Sequence, residues 1–109
     1  MLDKSKRYII TIPTKQDERD LISFFHDNEI YWVSKTHTVF HNKTLEQKLQ
    51  YLNIMGHKYP QLLELTYDST DFNYWVYYYI SSKTSYDIAI TSSQLLRKVK
   101  LEKLNSLCQ

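Results

Sequence analysis

The sequence predicts an α+β domain: a small, mostly antiparallel sheet with two or three packed helices. Three observations lead there. Two segments of helical period open on threonines placed to cap them, Thr14 and Thr44. From about Leu62 the period changes from helical to alternating, as strands require. The alternating segments are then joined by short polar turns, the pattern of a C-terminal three-stranded meander. At 109 residues, with no repeat, linker or low-complexity tract, the chain is expected to form a single domain over 1–109.

The elements follow in order. Arg7 to Pro13 reads as a strand, because Tyr8, Ile9, Ile10 and Ile12 favour extended backbone and Pro13 has no amide to continue a ladder. Thr14 caps a helix of about residues 15–27. Asp17 stands where a capping box carries Glu or Gln, and Glu18 lies near the positive helix end. Leu21, Ile22, Phe24 and Phe25 form its apolar stripe. Ile30 to Ser34 is a second strand candidate with apolar or aromatic residues on both faces, which suits cover on both sides. Residues 36–42 extend it or return through a hairpin at Lys35-Thr36-His37.

Thr44-Leu45-Glu46-Gln47 fits the capping box and opens the clearest helix, with Leu45, Leu49, Leu52 and Met55 at helical spacing and Tyr51 and Ile54 alongside. Gly56, the chain's one glycine, stands where a left-handed C-terminal cap is needed, and Pro60 follows. Then come strand-like Leu63 to Tyr67, a turn at 68–71, the aromatic strand Tyr74 to Ile80, a polar turn at 81–85 and alternating Tyr86 to Ile90. The last helix starts at Thr91, Ser92 or Ser93. Leu95, Leu96 and Val99 lie on one side of it, Leu101, Leu104 and Cys108 roughly opposite. Either its second half meets another surface, including a second copy of the chain, or a bend near Lys100 rejoins the stripes.

Composition narrows the function classes. An apolar fraction of 42% with a net charge of +2 belongs to a folding chain rather than a disordered one. One cysteine closes no internal disulfide, no apolar run reaches the ~18 residues that span a bilayer, and the basic N-terminus has no apolar region behind it. A cytoplasmic location without membrane contact is the expectation. Lys, Asn, Ile, Tyr and Phe number 39, against 7 for Gly, Ala, Pro and Arg, a skew that points to an AT-rich genome such as a low-GC bacterium, its phages or plasmids. The basic excess gathers at the C-terminus in Arg97, Lys98, Lys100 and Lys103.

No residue pattern carries catalysis. His37 and His41, four apart on β-forming sequence, stand roughly 13 Å apart at about 3.3 Å per residue, too far to share a zinc. No G-x-S-x-G elbow occurs, and a single glycine excludes the glycine-rich phosphate cradles. Glu64, Asp68, Asp71 and Asp87 are scattered acids. His26 and His57 read as favouring the negative ends of helices.

What remains is aromatic surface. On the strand 74–80, Trp75, Tyr77 and Tyr79 share one face, and Trp32 on a neighbouring strand can widen it. Tyrosine and tryptophan dominate protein interfaces, so the expectation is a non-enzymatic protein-binding module without a cofactor or metal. An inhibitor of a bacterial host or defence protein, encoded by a phage or mobile element, would be one example. Leu101 and Leu104 would serve a homodimer through the last helix. The alternative is a nucleic-acid-binding regulator that uses the aromatic face with Arg97, Lys98 and Lys100.

Overall fold

In a computed structural model, described over residues 2–33, 43–70, 74–82 and 86–107 with the last seven as backbone only, eight elements follow one another. They are β1 (Tyr8–Ile12), α1 (Lys15–Asp27), β2 (Tyr31–Trp32), α2 (Leu45–Met55), β3 (Gln61–Asp68), β4 (Tyr74–Ile80), β5 (Ile88–Thr91) and α3 (Ser92–Leu107). The α+β class is as expected. The strands form one five-stranded sheet in the order β2-β4-β3-β1-β5. β3 runs antiparallel to β1 and β4, whereas β5 pairs β1 and β2 pairs β4 in parallel. The expected meander is thereby corrected: β3 and β4 pair, but β5 leaves for the far side of β1. The sheet is mixed, with its longer ladders antiparallel. The candidate strand at 36–42 lies outside the described residues.

β1 explains the departure. Tyr8, Ile9, Ile10 and Ile12 are buried on both faces of the sheet, the mark of an interior strand that needs a backbone partner on each edge. β3 fills one edge. β5 fills the other, guided by a clasp at its start: the Arg7 amide donates to Asp87 Oδ2 at 2.8 Å, and the Asp87 amide to the Arg7 carbonyl at 3.0 Å.

One face of the sheet carries Tyr8, Ile10, Ile12, Leu63, Leu65 and Tyr77. These join Leu21, Ile22 and Phe25 of α1, Leu52 of α2, and Leu95 and Val99 of α3 in one core. The three helices therefore form a single layer on that face. On the other face Ile9 and Val76 are buried, and Glu64 lies 3.4 Å from Arg7 Nη2.

Helix ends follow the sequence closely. The Thr44 hydroxyl accepts from the Gln47 amide at 3.1 Å and Gln47 Oε1 accepts from the Thr44 amide at 2.9 Å. Thr91 and Gln94 repeat this box at the start of α3. At Thr14 only half of it forms. The shorter Asp17 instead accepts the Thr14 hydroxyl at 2.7 Å, while its amide donates back at 3.2 Å. Gly56 closes α2 in the left-handed region at φ 60°.

α1 ends at Asp27 as expected, but the geometry of its cap was not foreseen. Glu29 takes φ 56°, the Ile30 amide donates to the Phe25 carbonyl at 2.9 Å, and the Glu29 amide to the His26 carbonyl at 3.4 Å. This is a Schellman motif with a glutamate where glycine is usual. Glu29 is exposed, so Glu29→Gly should stabilise the fold by about 1 kcal/mol, read as a higher urea midpoint with unchanged slope.

Candidate functional site

Polar groups converge under the helix layer at Glu18. It occupies the first position of the stripe 18, 21, 22, 25 on α1, so its carboxylate points inward and is 1% exposed. Three donors meet it. Tyr59 Oη donates to Oε1 at 2.5 Å, while His57 Nδ1 and Tyr79 Oη donate to Oε2 at 2.7 and 2.8 Å. An ionised carboxylate only accepts, so this set satisfies it. The cluster ties α1 to the α2–β3 connection, which bears His57 and Tyr59, and to β4. Burial, followed by the charge of Glu18, raises the pKa of Tyr79 and Tyr77 far above the ordinary tyrosine value. Burial and the Glu18 hydrogen bond do the same for Tyr59. The Tyr77 hydroxyl is buried beside this cluster with no hydrogen-bond partner among the described residues.

The aromatic strand contributes mostly to the core. Tyr77 is fully buried, its ring 4.4 Å from Phe25 of α1 and stacked on Trp32 at 6.1 Å. Trp32 is buried as well, edge-on to Tyr79 at 5.6 Å. Tyr79 and Trp75 are half-buried against the same core, Trp75 between Tyr8 and Tyr67. The structure brings Trp32, Tyr77 and Tyr79 together, but beneath helices. As surface residues, Tyr77 and Trp32 are corrected to core. Arg97, Lys98 and Lys100 are exposed on α3, which packs over β1 and β5, across the sheet from Trp32 and β4. The side chains of Leu101 and Leu104 lie outside the described residues, as do His37 and His41. Among the described residues no three His, Cys, Asp or Glu side chains could hold a metal ion.

The exposed apolar surface is elsewhere, on α2. Tyr51, Ile54 and Met55, at i, i+3 and i+4, are 45%, 81% and 39% exposed. The inward stripe of the same helix is 45, 48, 49, 52, and Lys48 occupies it at 4% exposure. Its Nζ lies 3.2 Å from His26 Nδ1 on α1. An ammonium only donates, so the His26 nitrogen accepts. Burial holds the Lys48 pKa below its ordinary value. Lys48 and Tyr51 line a cleft of about 120 Å³ with Trp32, Lys43 and Gln47.

Both inward charges were legible in principle. Glu18 and Lys48 each complete an i, i+3, i+4, i+7 set with apolar residues, which marks a polar group carried into the core. The partners of Glu18 carried no such mark, because His57 and Tyr59 lie in a connection with no period. Comparison with protein-family models, curated proteins and solved structures returned no match. Among the described residues no helix is long and apolar enough to cross a membrane.

Removing the carboxylate leaves three donors around an empty site, so Glu18→Ala should cost about 3 kcal/mol in urea denaturation, with Glu18→Gln costing less. The tyrosines add a pH signature. A pKa raised in the folded state means that its stabilising contribution is complete below the ordinary value of 10.0 and is lost as pH rises beyond it. Lys48, shifted downward, acts in the opposite sense, but one lysine opposes four tyrosines, Tyr74 being raised as well, chiefly by burial. Urea midpoints should therefore fall between about pH 9 and pH 11, and less steeply for Tyr79→Phe.

Proposed function

We propose that the chain is a small cytoplasmic protein-binding module that acts by occupying a partner, without chemistry of its own. The face of α2 bearing Tyr51, Ile54 and Met55 carries this reading. Of the four exposed large hydrophobic residues among those described, three lie there, at neighbouring positions of one helix. Isolated exposed apolar residues need no explanation, but a contiguous group on a helix is the surface that helical interfaces use. Tyr51 adds a rigid aromatic ring of the type that dominates interface energetics. The contact surface thus moves from the aromatic strand to the helix beside it.

The buried Glu18 cluster supports the reading from below. It fixes the connection that leaves α2, so the helix presents a preorganised face, and preorganisation lowers the entropy lost on association. The skew in residue usage agrees with an inhibitor of a bacterial host or defence protein carried by a phage or mobile element. The nucleic-acid reading is less favoured, because α3 holds its exposed cations across the sheet from Trp32 and β4.

Ile54 is largely exposed, so Ile54→Asp should change stability by less than about 0.5 kcal/mol. In affinity capture from a nuclease-treated bacterial lysate, the proteins retained by the wild-type chain should be lost with Ile54→Asp. They should remain with Arg97, Lys98 and Lys100 all changed to Glu. The reverse pattern, seen only when nuclease is omitted and failing in high salt, would overturn the proposal in favour of nucleic acid.

A further inference from the structure

We propose that the cleft formed by Trp32, Lys43, Gln47, Lys48 and Tyr51 is an anchor pocket for one acidic side chain of a protein partner, whose apolar neighbours run along Tyr51, Ile54 and Met55. This rests on the protein-binding reading and names the partner's chemistry.

Size is the first argument. Pockets for whole small molecules run to roughly 300–1,000 Å³, whereas a cavity of about 150 Å³ takes one benzene ring. At about 120 Å³ the cleft fits a single side chain or fragment.

Charge is the second. The lining contains two lysines and no acid. Lys48 is nearly fully buried, yet its hydrogen-bond partner is His26 Nδ1, not a carboxylate. Buried charges are ordinarily paired with an opposite charge, and neither ion pair found among the described residues involves Lys48. An ammonium has three protons to donate, and His26 takes one of them. A carboxylate entering the cleft would take another and would supply the missing negative charge. Gln47 is placed to assist. Its Oε1 accepts from the Thr44 amide, which leaves its NH₂ as donor. The cleft also flanks the first turn of α2, where the helix dipole favours an anion.

Continuity with the apolar patch is the third argument. Tyr51 belongs to both, lining the cleft and standing one helical turn from Ile54 and Met55. Its ring is 5.4 Å from Trp32 and edge-on to it, so the two aromatics wall the side on which a partner's apolar stem would lie. An acidic residue next to apolar ones matches this order of surfaces. A phosphate backbone has no apolar neighbour to offer Ile54 and Met55.

The test uses the full chain and three fragment probes: phenylacetate, its neutral isostere phenylacetamide, and phenyl phosphate. Binding is read from the indole N–H resonance of Trp32. Phenylacetate should shift it saturably, with a millimolar Kd as expected of a fragment, and phenylacetamide should bind at least about tenfold more weakly. Lys48→Met keeps the stem and removes the charge, so it should also weaken phenylacetate about tenfold or more. Should that variant fail to fold, the exposed Lys43→Gln should weaken it several-fold. Equal binding of phenylacetate and phenylacetamide would overturn the proposal, as would undiminished binding in the lysine variants. Phenyl phosphate binding more than about tenfold tighter than phenylacetate would overturn it in favour of a nucleic-acid phosphate. Ile54→Asp separates this inference from the function beneath it. That chain should still bind phenylacetate while losing its protein partner. A partner that the wild-type chain captures and Ile54→Asp loses, with no phenylacetate bound by either chain, would overturn the pocket alone.

Discussion

One carboxylate organises the helix layer. Taking Glu18 out of water is tolerable only because three donors replace the water it loses, and each comes from beyond its own helix. His57 and Tyr59 precede β3, and Tyr79 lies on β4. The hydrophobic core presses α1, α2 and the sheet together, but apolar contact is not directional. The Glu18 hydrogen bonds are directional, and they fix where the α2–β3 connection sits over the sheet. The position of α2, and of everything it displays, follows from that.

Lys48 is the counterpart on α2. Its amine faces the histidine at the end of α1, and α1 and α2 thus each carry one ionisable residue on the stripe that should be apolar. The two sites differ in how well they are closed. Glu18 has three hydrogen bonds, one of them from a histidine. Lys48 has a ring nitrogen and an adjoining cleft. A completed polar site holds structure, whereas an incomplete one bordering a cavity leaves capacity for a ligand.

Local signals in the sequence translated well into structure. The threonine caps, the left-handed Gly56, the helix bounds and the aromatic strand were all readable, because each depends on residues within a few positions of one another. Strand order was not. The polar sequence at 81–85, of which 83–85 lie outside the described residues, suggested a hairpin, and the need of β1 for a second backbone partner takes β5 elsewhere. That is a property of the whole sheet, not of residues 81–91. The burial of Trp32 and Tyr77 was hidden for a related reason. Alternation correctly placed Trp75, Tyr77 and Tyr79 on one face, but it cannot say which face the helices choose. The same limit applied to α2, where Tyr51, Ile54 and Met55 looked like part of a core stripe wider than the domain covers.

The strand Tyr74 to Ile80 has a further consequence. Seven consecutive residues with high β-propensity, no charge, no proline and no glycine are a segment prone to stack with copies of itself. The fold contains it by position. β3 pairs with its whole length, and β2 covers part of the other edge. The outermost strands of the sheet are short, two residues in β2 and four in β5, and offer little template for another chain. Native structure here is therefore also a form of confinement. Whatever loosens the grip of Glu18 on Tyr79 releases from that strand the hydroxyl that anchors it and brings the segment closer to self-association.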